Sequence, residues 1–252
     1  MKLSANLGFL WNDRPLAEAI RAAKAAGFDA VECHWPYDQP LKDVQRALED
    51  TGLAMLGLNT SRGNPGENGL SALPGREAEA RAAIDQASDY AQAIGARSIH
   101  VMAGFAQGPE AHSSFVENLR YARQSVPDDI TLLIEPLNRH DAPGYFLTTT
   151  DQARAILQEL DLKGVALMFD CYHIGRTEGD VITRLADLSP VIGHIQFASV
   201  PERGAPDRGE LNYDAIFRAI GDLGWSHPLG AEYKPGGDTD ASLGWMSGLG
   251  TL

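Results

Sequence analysis

Eight times along the chain a short apolar run is followed by a segment whose apolar residues recur at helical spacing, and this repetition restricts the fold more than any other feature. Leu3 to Leu10 opens the series, with Leu16, Ala19, Ile20 and Ala23 on one face of the helix behind it. Asp29 to Cys33 precedes Leu41, Val44 and Leu48. Leu53 to Leu58 precedes Ala80, Ala83, Ile84, Ala87, Ala91 and Ile94. Gly52 and Gly95 close these two helices, as residues free to take a left-handed conformation. Ser98 to Ala103 leads to Phe115, Leu119 and Ala122; Ile130 to Ile134 to Ala153, Ile156, Leu157 and Leu160; Val165 to Phe169 to Val181, Ile182, Leu185 and Leu188. Val191 to Ala198 leads to Ile216, Phe217 and Ile220, and Leu229 to Tyr233 is an eighth strand before a short Gly-interrupted segment.

Strands alternating with helices pair in parallel through crossovers. Eight such units in 252 residues fit a single (β/α)8 TIM barrel occupying 1–252 as one domain. An open doubly wound sheet is the rival, but it would place a Gly-rich nucleotide loop after the first strand. Here LWNDRP follows, and the chain contains neither GxGxxG nor a P-loop. Two connections, Asn59 to Pro74 and Ser199 to Leu211, exceed the roughly 2 to 6 residues usual between strand and helix. Both follow strands, at the barrel end where such folds keep their sites, and they are open to reading as solvated excursions or as lids.

A net charge of -13 repels a phosphate backbone and directs the search for function to a pocket. The two cysteines, Cys33 and Cys171, form no CxxC pair and are expected as reduced thiols. No run reaches the about 18 apolar residues of a membrane span, and Asn6 interrupts the apolar N-terminal run with no cleavage-site pattern after it. A cytoplasmic protein away from membranes is the expectation; a homo-oligomer is compatible with it.

On a barrel, polar residues at the C-terminal ends of strands face the site while the strand bodies pack the core. Glu135 ends LLIE, Asp170 ends ALMFD, Gln196 lies in HIQFA and Glu232 in LGAEY; spacings of 35, 26 and 36 residues separate them, each close to one repeat. Strands five to eight therefore each deliver an oxygen-bearing side chain to one rim. Three carboxylates buried together need a cation or raised pKa values. Two Glu, one Asp and one Gln amide form an all-oxygen set that suits Mg²⁺ or Mn²⁺ over structural zinc. The competing reading is that some of the four are salt-bridged core residues.

The segments IEPLNRHDAPGYFLTTTDQA, MFDCYHIGRTEGD, GHIQFASVPER, GELNYDAIF and GAEYKP, with NTSRGNPGENGLSALPGREAEA earlier, closely resemble the hydroxypyruvate isomerase family of xylose-isomerase-like TIM barrels. The resemblance runs over nearly the whole chain. It implies an oxygen-ligated divalent metal and interconversion of hydroxypyruvate with 2-hydroxy-3-oxopropanoate, a small-molecule substrate. Such a reaction needs a base, an acid and a Lewis acid for the enediolate oxygens. By the resemblance Glu135 and Glu232 are the acid/base pair and both touch the metal, with Asp170 and Gln196 completing the set. The two glutamates lie three strands apart, roughly 14 Å along a closed rim at about 4.8 Å per strand, and can face each other across a small substrate.

The resemblance also implies that His173 binds a substrate hydroxyl or oxyanion, against a surface or capping role, and that Arg203 takes the substrate carboxylate. Lys234 is a weaker candidate, equally readable as an ion-pair residue, and Arg62 reads as solvent-exposed. Gln196 stands where related keto-sugar epimerases have histidine. The seventh loop departs from the family pattern at Ser199, Glu202 and Ala205, which bears on substrate identity. His34 and His100 lie near strand ends and are open to a supporting role; Trp11, Trp35 and Phe105 are open to walling the pocket or packing the core. The other histidines make no ligand spacing, and HExxH and GxSxG are absent. Besides the isomerase, three alternatives exist. They are an isomerase or epimerase of a longer acid or sugar (3-oxo-tetronate or a ketohexose), a barrel that only binds sugar, and an abasic-site endonuclease. The last is disfavoured by the acidic balance and the scattered histidines.

Overall fold

The computed structural model describes residues 1–251, and its hydrogen bonding joins β1 (Leu3–Asn6), β2 (Ala30–Glu32), β3 (Ala54–Met55), β4 (Leu58–Asn59), β5 (Ser98–His100), β6 (Thr131–Ile134), β7 (Val165–Asp170), β8 (Ile192–Phe197) and β9 (Leu229–Ala231) in one parallel sheet. Its order is β3-β2-β1-β9-β8-β7-β6-β5-β4. The two ends of that order, β3 and β4, are halves of one chain segment. They are separated by Leu56 and Gly57, which bond back to Val31 and Cys33 of the β2 side. The sheet therefore closes on itself, and the single strand read from Leu53 to Leu58 bends in the middle so that its first half serves β2 and its second half β5. Gly57 permits the bend, since a Cβ there would lie 2.6 Å from Ser98 Oγ.

The helices are α1 (Leu16–Ala25), α2 (Leu41–Thr51), α3 (Glu77–Ile94), α4 (Gly108–Ser125), α5 (Thr150–Leu160), α6 (Cys171–Thr177), α7 (Val181–Leu188) and α8 (Tyr213–Asp222), with a 3₁₀ helix over Asp240–Thr251 after the last strand. The expected faces are the buried ones, for example Ala80, Ala83, Ile84, Ala87, Ala91 and Ile94 of α3. Leu41 and Ile182 are exceptions, 36% and 42% exposed, and Leu157 is only half-buried. Gly52 and Gly95 cap α2 and α3 at φ 66°, as their positions require. Helix α6 starts at the residue after β7, with the Asp170 carboxylate accepting from Tyr172 N–H at 2.8 Å.

One continuous apolar core runs from the strands outward to the helices. Trp11 belongs to it: it is 1% exposed, packs edge-on against Phe28 and donates its indole N–H to Asp240, so it does not wall the pocket. Phe105 is 40% exposed against Tyr145 and stands outside the cavity as well. Both cysteines are free and buried. Among the described residues no helix is long and apolar enough to cross a membrane.

Candidate active site

The C-terminal strand ends converge as the repeat spacing requires. Asn6, Glu32, His100 and Asp170 are the last residues of their strands, Glu135 and Glu232 follow β6 and β9 directly, and Gln196 is the penultimate residue of β8. All seven are at least 94% buried. Above them opens a cavity of about 330 Å³, lined by Glu135, Glu232, His34, His100, His173 and Arg203, with Trp35 and Arg62 at its wall.

Glu135 and Glu232 share this cavity but not an environment. Burial pushes the Glu135 carboxyl well above the ordinary carboxylate range, and the Glu232 and Asp170 charges add to the rise. Burial also lifts Asp170, to about 7, against the pull of Arg203. Burial acts on Glu232 too, yet the Arg203 guanidinium and the His34 hydrogen bond outweigh it and hold this carboxyl down at about 2. Glu232 Oε1 lies 2.9 Å from both His34 Nε2 and Asn6 Nδ2, and its Oε2 is bound by Arg203 Nη2.

Three oxygens of the expected ligand set, Glu135 Oε1, Asp170 Oδ2 and Gln196 Oε1, are buried with no hydrogen-bond donor. Leaving even one polar atom in that state costs about 1–3 kcal/mol. Three oxygen acceptors grouped on adjacent strands fit a hard divalent cation in chemistry and in number. Nε2 of His173 lies 3.6 Å from Asp170 Oδ2 and 3.9 Å from Glu135 Oε1, so these three residues bring ligand atoms within 4.8 Å of one another. His173 is nevertheless a poor ligand. Its Nδ1 accepts from the Asn138 backbone N–H at 3.0 Å, and burial holds the ring neutral, with its pKa at about 3. The one ring proton is therefore on Nε2, which makes that atom a donor facing the site and blocks its lone pair. Of the four expected ligands, Glu135, Asp170 and Gln196 present an oxygen without a donor, whereas both oxygens of Glu232 face Arg203, His34 and Asn6.

Arg203 stands differently from expectation. It reaches Glu232 and, at 3.6 Å, Asp170, with its guanidinium between the rings of Phe9 (4.7 Å) and Tyr172 (4.9 Å). One edge of the fork is thus committed to the protein's own carboxylates, while its buried Nε has no hydrogen-bond partner. Lys234 does not line the cavity. Its side chain is exposed, and its contribution is the backbone N–H, which donates to Arg203 O at 2.7 Å and fixes the loop. Arg62 is exposed, as read, but stacks over Trp35 at 4.5 Å on the cavity wall. The departures in the seventh loop turn inward or outward rather than into the cavity. Ser199 Oγ accepts from Gly204 N–H, Ala205 is buried and Glu202 is exposed.

Asn6, Glu32 and His194 belong to one buried group, although no motif in the sequence marks them as site residues. Glu32 binds His194 at 2.9 Å, Gln196 at 2.7 Å and Asn6 at 3.1 Å. The signal that found Glu135, a polar residue closing an apolar strand, was equally present in AVE of β2. Burial pushes Glu32 up, but the neighbouring His194 and Gln196 bring it below the usual value, and His194 rises in turn against its own burial.

The description of the xylose isomerase-like TIM barrel family matches residues 20–249. The chain belongs to this family. Among curated relatives, a 2-oxo-tetronate isomerase of Cupriavidus necator is 41% identical and covers 97% of this chain and 97% of its own length. A hydroxypyruvate isomerase of Escherichia coli is 36% identical over 98% of both chains. Among solved structures, a protein from Brucella melitensis described as AP endonuclease, family 2, superposes with a TM-score of 0.94 at 36% identity over 98% of both chains. The 3-keto-D-glucoside 4-epimerase of E. coli, at 21% identity and a TM-score of 0.83, shares the fold.

Proposed function

We propose that this family member is an isomerase that interconverts hydroxypyruvate and 2-hydroxy-3-oxopropanoate by moving a proton between adjacent carbons. The observation that carries the reading is that two glutamates on one small cavity stand in opposite surroundings, Glu232 paired with Arg203, His34 and Asn6 and Glu135 left with an unpartnered oxygen, since carboxyl groups driven apart in pKa divide into a base and an acid. Relatives named as isomerases of hydroxypyruvate and of 2-oxo-tetronate, over nearly full length, support it. Glu232, held as an anion, accepts the proton from C3, the hydroxyl proton passes from O3 to O2, and Glu135, whose carboxyl burial favours in its protonated form, gives one to C2; exchange of protons with water then resets both carboxyl groups. His173 Nε2–H donates to the substrate oxygen on which negative charge develops. Arg203, which lines the cavity, offers its positive charge to the substrate carboxylate from the pocket wall. Asp170 and Gln196 would hold a divalent ion, Mg²⁺ or Mn²⁺ by the hardness of the donors, with Glu135 joining them in its deprotonated form, and that ion would supply positive charge beside the substrate oxygens. A polyanionic nucleic acid is disfavoured as substrate by the net charge of -13 and by a site of carboxylates.

Proton NMR in D₂O tests the proposal: metal-loaded protein should exchange a C3 proton of hydroxypyruvate for deuterium. A second reading, isomerisation of a four-carbon oxo-tetronate, is favoured by the 41% identity to the C. necator protein. Exchange with four-carbon acids and none with hydroxypyruvate would establish it in place of the first.

A further inference from the structure

Glu32, His194 and Asn6 take no part in the reaction just described, yet they form one buried hydrogen-bonded group beneath the cavity. The Glu32 side chain leaves the end of β2 and spans the barrel interior to β8, past β1 and β9, which stand between them. Gly230 of β9 leaves the passage open. A Cβ there would lie 2.5 Å from Glu32 Oε1 and 2.8 Å from Gln196 Cγ.

These contacts orient two amides. An amide nitrogen only donates and a carboxylate oxygen facing it accepts, so Gln196 turns Nε2 toward Glu32 at 2.7 Å. Its Oε1 points away, and that is the buried oxygen without a donor. Gln196 is the register partner of Asp170 on β7, so the strand pair presents two such oxygens together, Gln196 Oε1 and Asp170 Oδ2. Asn6 is fixed by the same rule. Its Oδ1 accepts from Gly8 N–H at 3.0 Å, and its Nδ2 bridges Glu32 Oε1 and Glu232 Oε1. Removal of the Glu32 acceptor oxygens leaves nothing to prevent the Gln196 amide from flipping, and a flipped amide presents donor hydrogens where a cation needs an acceptor.

We propose that Glu32 is a positioning residue for the cation site: it holds the Gln196 amide oxygen on the side of Asp170 and, through Asn6, fixes the Glu232 carboxylate. The proposal rests on the metal-site reading above. Supporting groups of this kind typically change metal affinity by about 10- to 100-fold.

Titration of the whole chain with Mn²⁺ alone, with free ion followed by electron paramagnetic resonance, tests it without recourse to activity. E32L removes both acceptor oxygens and is expected to weaken Mn²⁺ binding by about 10- to 100-fold. E32Q keeps an oxygen that can accept from Gln196 Nε2 and is expected to bind nearly as tightly as wild type. E32L that binds Mn²⁺ as tightly as wild type overturns the proposal, as does E32Q that binds no better than E32L. Should E32L not fold, E32N decides, because its amide is too short to reach β8: binding weaker than that of E32Q supports the positioning role, and equal binding overturns it. Wild-type protein that binds no Mn²⁺ overturns the metal-site reading itself, a failure distinct from the others.

Discussion

Glu135 and Glu232 are the same side chain, buried to the same extent at 6% exposure, and their neighbours alone give them opposite tendencies. Glu232 has a guanidinium, an imidazole and an amide on its two oxygens, whereas Glu135 has one unpartnered oxygen and a neutral His100 at 3.5 Å. Glu135→Gln keeps the volume and removes the exchangeable proton. Turnover should fall by about 10²- to 10⁴-fold, measured as the rate at which 2-hydroxy-3-oxopropanoate forms, with the circular dichroism spectrum unchanged. The rim residues Glu135, Asp170, Gln196 and Glu232 are legible in the sequence because each is a polar side chain closing an apolar strand. The partners of Arg203 are not legible. Its contacts to Phe9, Tyr172, Asp170 and Glu232 join four separate stretches of chain, and nothing local to PERGAP encodes them.

At the scale of elements, the helix faces follow from periodicity, while strand ends and loops are set by neighbours. Leu53 to Leu58 is a plain apolar run, and only the need to pair with β2 on one side and β5 on the other divides it. The two long loops are tied down rather than loose. Gly69 bridges to Ala103, and Glu67 pairs with Arg76 in the first; Arg203 N–H, Gly204 N–H and Glu210 N–H bond back to Ser199 and Val200 in the second. The second loop ends at the cap of α8, where Asn212 Oδ1 accepts from Ala215 N–H at 3.1 Å. Asn212→Ala should cost about 1 kcal/mol by chemical denaturation while leaving the Michaelis constant unchanged, because the cap lies outside the cavity.

For the whole molecule, the site stores an electrostatic cost that a cation relieves. The Glu135 and Asp170 carboxyls titrate above their unfolded values, Asp170 at about 7. Between about pH 4 and 7 the unfolded chain has lost protons that the metal-free fold still binds, so metal-free stability contributed by this pair falls as pH rises through that window. Mn²⁺ or Mg²⁺ requires the deprotonated ligands. The rise in melting temperature on adding the ion should therefore be larger at about pH 8 than at about pH 5.5, read by differential scanning calorimetry at fixed metal concentration. An equal rise at both values would mean that the ion does not bind these carboxylates. The sequence by itself determined the eight repeats, the buried helix faces and the four strand-end residues, because hydrophobic period and repeat length are properties of the chain in order. Only closure of the sheet into a ring decided which charges meet. It places Glu32 of β2 against His194 and Gln196 of β8, Asn6 between two carboxylates, and Arg203 on Glu232, since residues far apart in sequence become neighbours across a barrel whose interior holds few places for a buried charge.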